Sequence, residues 1–220
     1  MCAVVGSPSL LRLQLVAAMS ASPASEHLAD PIDVVVADHF RIRAMLILVC
    51  QIARSRMSPR VREVIARSLL SFLRGDLEEH LRDEEEGLFP LLERRLTVSD
   101  LVDPSLRRIV AEHGVGRALG AELVGMIGRV ETFAEQPPPA TFRRVAASFA
   151  RTKRHHVAVE NGIVVPLARA RFTARDLRVL GDWMIQRRCR RALCKAPHAP
   201  PSVGRGLPPS RDSGRKEFRQ

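Results

Sequence analysis

Apolar residues recur at helical spacing along most of this 220-residue chain, and no stretch alternates apolar and polar as a strand would. Ile32, Val35, Val36, Phe40, Met45 and Leu48 mark a first helix over about residues 31 to 55, opening at Asp30-Pro31. Ser58-Pro59 sets an N-cap ahead of a proline at the first helical position, which predicts a second helix to about residue 95. Asp103-Pro104 repeats the device for a third helix, running to Gln136 before "PPP". A fourth covers about 140 to 171, and Thr173 with Asp176 three residues on caps a shorter fifth to about 191. Four long helices joined by short links predict an all-α fold, an up-and-down four-helix bundle with the fifth helix packed outside it.

Composition changes this picture little, and charge changes it only at one end. Ala, Leu, Val and Arg dominate, which favours helix over sheet. The net charge of +11 suggests a nucleic-acid binder until it is located. Residues 187 to 220 hold ten Lys or Arg against Asp212 and Glu217, so the rest of the chain is close to neutral. Five prolines interrupt the same tail. The expected organisation is a disordered N-terminal extension over 1–28, the bundle over 29–191, and a basic, proline-rich disordered tail over 192–220. Such a tail can touch nucleic acid or an anionic surface weakly.

The first residues lack a basic leader and are interrupted by Arg12, so they make a poor signal peptide, and no run approaches a membrane span. Cys2, Cys50, Cys189 and Cys194 show no zinc-type or CxxC spacing and read as reduced thiols of a cytoplasmic protein. The absence of tyrosine excludes tyrosyl-radical chemistry, and no Rossmann, P-loop or hydrolase motif suggests another enzyme class.

Candidate chemistry enters through an internal repeat. The pattern H-x3-E-x5-P-L occurs at His80, Glu84, Pro90 and Leu91, and again at His156, Glu160, Pro166 and Leu167. Upstream of each lies a lone histidine after an acid, Asp38-His39 and Glu112-His113. The chain therefore reads as a duplicated helix pair. Residues i and i+4 share a helix face, so each histidine projects with its glutamate. His39 and His113 lie near their helix starts, and Glu84 and Glu160 a similar distance before their helix ends. In an up-and-down bundle all six then fall in one layer, roughly 15 Å from one end at about 1.5 Å per residue. Asp83, Glu85 and Glu86 point off the His80–Glu84 face and read as solvated.

Four histidines and two carboxylates in a core are costly unless compensated, and a metal compensates both types together. Six donors are too many for one structural zinc. Two metals could each take two imidazoles and share both glutamates, leaving a position on each for a small molecule. Oxygen bridges with imidazole favour iron, with manganese or a mixed pair next. Pro90 and Pro166 each remove a helical N–H, which either bends the helix below the site or frays its end. Gly114, Gly116 and Gly120, following His113, either open a channel or allow close helix contact.

The order His39, His80-x3-Glu84, His113, His156-x3-Glu160 resembles the hemerythrin-like, or HHE cation-binding, family. "LFPL" at 88–91, "VVPL" at 164–167 and "TARDLRVLGDWMIQRR" after them are similar to that family's proline segments and C-terminal helix. The resemblance covers about 29 to 191 and implies a non-haem di-iron bundle. In it His39, His80, His113 and His156 would be terminal ligands, with Glu84 and Glu160 bridging two irons. Relatives of this type bind oxygen, handle nitric oxide or peroxide, sense iron or oxygen, or support repair of iron centres. The leading expectation is a protein that binds or reduces a small reactive molecule such as O2, peroxide or NO, an oxidoreductase if it turns over. The alternative is a non-catalytic iron, oxygen or redox sensor, or an iron-centre repair protein. One departure from the resemblance stands out. Oxygen-carrying members add a fifth histidine one turn after the third-helix ligand, and Arg117 occupies that place here. Guanidinium has no lone pair to offer. His155 is turned about 100° from His156, which leaves His27 as the better substitute ligand.

Overall fold

The computed structural model describes residues 8–21, 30–54, 57–100, 103–129 and 138–195, and every regular element among them is helical. A helix α1, Pro8–Ser20, precedes the bundle. The first bundle helix, α2, spans Pro31–Arg54, and the Asp30 carboxylate accepts from the Ile32 N–H at 2.8 Å to cap it. The second is a compound rod: α3, Pro59–Arg74, and α4, Asp76–Arg82, meet at Gly75, and α5, Phe89–Glu93, follows a widened turn. Ser58 caps α3 as expected, its hydroxyl accepting from the Val61 N–H. The third, α6, runs Asp103–Ile127; residues 130–137, where it was expected to continue, lie outside the described residues. The fourth consists of α7, Ala140–Val159, and α8, Val165–Arg171.

Each bundle helix packs on its sequence neighbour, and α2 also packs on α7, which closes the ring of an up-and-down four-helix bundle. The fifth helix, α9, spans Ala174–Lys195 and lies outside, against α2 and the widened turn of the second rod. Thr173 and Asp176 cap it reciprocally: the Asp176 N–H donates to the Thr173 hydroxyl at 3.2 Å, and the Thr173 N–H to the Asp176 carboxylate at 2.9 Å.

Neither proline marks a fraying end. Asp83–Leu88 and Glu160–Val164 are π-helical, and regular helix resumes beyond both, to Glu93 and Arg171. The N–H of Phe89 donates to the carbonyl of Glu84, and that of Val165 to the carbonyl of Glu160, each five residues back. Pro90 and Pro166 have no N–H to give, so the helix takes up the slack by widening just ahead of them. The bend anticipated from the prolines is thus a one-turn change of helix type that begins at or beside each glutamate.

The stretch expected to be a disordered N-terminal extension, 1–28, contains α1, which packs on α2 and α3. Met19 is fully buried, Leu15 and Val16 pack against the core, and the Arg41 side chain donates to the Met19 carbonyl at 3.0 Å. Leu10, Leu11 and Leu13 stay half exposed, so the helix has no clean apolar stripe to betray it. His27 and the tail from 196 lie outside the described residues.

The buried apolar residues form two clusters. One runs through Ile42, Leu69, Leu81, Leu123, Phe149 and Val157, and the other through Ile32, Val35, Leu88, Ile109, Val164 and Leu180. On every bundle helix the candidate ligands fall between a residue of one cluster and a residue of the other. The bundle is therefore two dry cores with one polar layer between them.

Candidate metal centre

The six side chains singled out by the repeat meet in that layer, and each is at most 1% exposed. His39 Nε2 lies 3.5 Å from Glu84 Oε1 and 3.2 Å from Glu160 Oε2. His80 Nε2 is 3.3 Å from Glu84 Oε1, and His156 Nε2 is 2.9 Å from Glu160 Oε1. His113 Nε2 is 3.4 Å from Glu84 Oε2 and 2.8 Å from His156 Nε2. One atom each from His39, His80, Glu84 and Glu160 fall within 4.8 Å of one another, and so do those of Glu84, His113, His156 and Glu160. Two four-donor groups thus share both glutamates.

These residues fit a cation better than they fit each other. Both carboxylate oxygens of Glu84 and of Glu160, and the Nε2 atoms of His39 and His80, are buried without a hydrogen-bond partner. A buried polar group left so costs on the order of 1–3 kcal/mol, more when charged. Lone-pair donors crowded around common points, with nothing donating to them, are what a metal ion satisfies.

The outward ring nitrogens have partners arranged in a crossed, two-fold pattern. His39 Nδ1 lies 3.0 Å from Asn161 Oδ1, and His113 Nδ1 lies 2.6 Å from Glu85 Oε1. Each partner is the residue directly after the opposite half's glutamate. His80 Nδ1 faces Asp38 at 4.0 Å, and His156 Nδ1 faces Glu112 at 3.7 Å, too far for a direct bond but close enough for attraction. Those two acids each precede their own half's lone histidine. An acceptor on Nδ1 turns the Nε2 lone pair toward the centre and raises its basicity.

Charge follows the same logic. Burial disfavours a proton on His39, but the flanking Glu160 and Glu84 outweigh it and raise the ring to about 10. Burial, then the neighbouring charge on His39, hold His80 well below its usual value; burial and the proximity of His156 bring His113 down to about 4. Burial and Glu160 push Glu84 well up. Glu160 is held well down despite its burial, because His156 and His39 contact it. Two carboxylates this close call for positive charge between them.

Of the three acids expected to be solvated, only Glu86 is exposed. Asp83 is 1% exposed, bound by Arg187 at 2.9 Å and Arg188 at 2.7 Å, with burial lifting its carboxyl to about 6 against those two cations. Glu85 joins His113 to Arg117, which donates to it at 2.8 and 2.9 Å. Sequence spacing hid both, because a π turn and a neighbouring helix redirect residues that a regular helix would send to solvent. Arg117 also reaches Glu78 at 3.1 Å, so the position of the absent fifth histidine is spent on outer charge pairing. His155 is half exposed, 3.5 Å from Glu112, and takes no part.

Lys153 carries no signal in the sequence that marks it for this layer. It is 1% exposed, on α7 one turn before His156, with its terminal carbons against Gly116. Burial lowers its ammonium's pKa, while Glu84 and Glu160 pull the other way. A Cβ at Gly116 would sit 2.9 Å from Lys153 Cε, whereas one at Gly114 would meet nothing and one at Gly120 only Phe149 at 3.6 Å. Close contact, not a general glycine channel, accounts for Gly116. A cleft of about 340 Å³ does lie on the far side of Gly116 and Gly120, walled by Leu73, Leu77 and Leu81.

A four-helix bundle that gathers four histidines and two glutamates between two dry cores belongs to the class built to hold metal in its midst. The hemerythrin HHE cation-binding domain matches residues 30–168, and the chain belongs to that family. No curated protein matches it. The family is a metal-binding one, and the two His and Glu groups here are placed so that each could hold a metal ion; no helix among the described residues is long and apolar enough to cross a membrane.

Proposed function

We propose that the chain is a cytoplasmic, non-haem di-iron protein that binds or reduces a small reactive molecule such as O2, peroxide or NO. In this reading His39 and His80 would hold one iron, His113 and His156 the other, and Glu84 and Glu160 would be shared between them. The observation that carries this reading is the pair of four-donor groups with both glutamates in common. Iron in such a pair supplies electrons and an open coordination position, which suits diatomic and peroxide ligands.

The chain's own residues provide the rest. Asn161 and Glu85 fix the tautomers of His39 and His113. The two apolar clusters exclude water above and below the layer, which strengthens every charge interaction within it. Arg117 spends its guanidinium on Glu85 and Glu78, so its position offers the second metal no fifth imidazole. The reduced protein is accordingly expected to oxidise quickly in air and to consume or bind peroxide rather than store O2. Protein expressed in iron-rich medium should carry about two irons per chain with a ligand-to-metal charge-transfer spectrum. One tightly held zinc without iron would refute the reading.

One observation favours a sensing role for the same centre. Arg188 of α9 bonds both Asp38 and Asp83, and Asp38 faces His80, which links the ligand layer to the helix that leads into the basic tail. Multiple turnovers with peroxide or NO would decide for an enzyme, and their absence in iron-loaded protein for a sensor.

A further inference from the structure

Lys153 is a basic residue buried to 1% exposure, and it forms no ion pair among the described residues. Removing a charge from water costs several kcal/mol unless a partner compensates. The internal repeat shows that the position does not demand a charge. With the same offset that relates His80 to His156, Lys153 corresponds to Leu77; with that relating His39 to His113, Gly116 corresponds to Ile42. Leu77 and Ile42 are both buried in one apolar cluster. The second half has exchanged this apolar pair for a lysine and the glycine that makes room for it.

We propose that Lys153 is a specificity-determining residue that makes the centre favour small anionic ligands, such as hydroperoxide, over neutral diatomics. The proposal rests on the di-iron reading above. Lys153 lies one turn before His156, and a Cβ on Gly116, three residues after His113, would sit 3.3 Å from its Nζ, which puts the ammonium beside the second half's donors; Glu84 and Glu160, whose charges act on it, are the residues a bound metal pair would neutralise. With those charges neutralised the ammonium would lack a counter-ion, and a small anion held at the second four-donor group would supply one. Three ammonium N–H groups can donate to such a ligand. Gly116, against which the lysine packs, also lines a cleft that has Arg74 and Arg117 in its wall.

The test is calorimetric titration of iron-loaded protein with azide, and in parallel with NO, with metal content measured on every sample. Lys153→Met should keep its iron, bind NO as wild type does, and bind azide about tenfold more weakly, about 1.4 kcal/mol. Gly116→Ala, which pushes the flexible lysine aside, should weaken azide in the same direction. The double variant should lose nothing beyond Lys153→Met. If Lys153→Met does not fold, Gly116→Ala alone decides. Unchanged azide affinity in an iron-loaded variant overturns the proposal and leaves the di-iron reading standing; so does an equal loss of azide and NO, which would make the lysine merely structural. Wild-type protein without redox-active metal overturns the di-iron reading and this proposal with it, a result that metal analysis identifies by itself.

Discussion

The two halves of the repeat place equivalent candidate ligands in unequal surroundings. Around His39 and His80 the outer shell is sealed: Arg187 and Arg188 of α9 bind Asp83, Arg188 also binds Asp38, and Trp183 lies against Gly87. A Cβ at Gly87 would come within 2.5 Å of that indole, so only glycine lets α9 approach. Around His113 and His156 no such cover exists among the described residues. Glu112, Glu85 and Arg117 are 19%, 24% and 35% exposed, and the apolar Ile42–Leu77 pair is replaced by Gly116 and Lys153. The repeat thus places the same donor types in two settings, one enclosed by α9 and one more open among the described residues.

The comparison breaks first at the glutamates, where the halves should not differ at all. Glu84→Ala and Glu160→Ala are each expected to lose both metals and most of the thermal stability that metal confers, because each carboxylate serves both groups. Retention of two irons in either variant, measured by elemental analysis, would show that the halves are not joined there. Next come the lone histidines. His39→Ala and His113→Ala should each lose mainly one metal, giving half-loaded protein, with the second site, whose outer partners are the more exposed, exchanging faster in the intact chain.

The outer partners should sharpen the asymmetry further. Glu85→Gln is expected to weaken metal retention more than Asn161→Ala, within the roughly 10–100-fold range typical of such changes. Glu85 brings a full charge, backed by Arg117, where Asn161 brings only a dipole. Chelator competition measures both, and equal losses would mean that the charge is irrelevant. The smallest effect belongs to the tie between the ends of the halves, where Arg171 after the second binds Asp100 after the first. Arg171 and the Thr97 N–H hold Asp100 down to about 2, below the usual 3.9 or so. A depressed carboxyl stabilises the fold above its unfolded value and loses that contribution as pH falls toward the folded one. Asp100→Asn should therefore lower the melting temperature slightly at neutral pH, with the gap to wild type closing from about pH 4 downward. A gap independent of pH would assign the effect to packing.

The sequence by itself determined whatever depends on near neighbours along one helix. Caps at Asp30, Ser58 and Thr173 set helix starts, and the four-residue spacing of His80–Glu84 and His156–Glu160 set the faces on which ligands lie. Counting residues from helix ends placed all six donors in one layer, since rise per residue is constant. Only the tertiary structure decided what depends on the rotation of one helix against another. Glu85 and Asn161 meet histidines of the opposite half, and Asp83 meets arginines more than a hundred residues away. The π turns change the helical phase at the glutamates, so an acid run that spacing assigns to solvent splits between core and surface. The helix α1 carries too mixed a pattern to be read alone, and becomes legible only through the buried Met19 and its bond to Arg41. Lys153 was invisible for the same reason. One residue's periodicity tells which way it points on its own helix, and burial depends on what the other helices place in front of it.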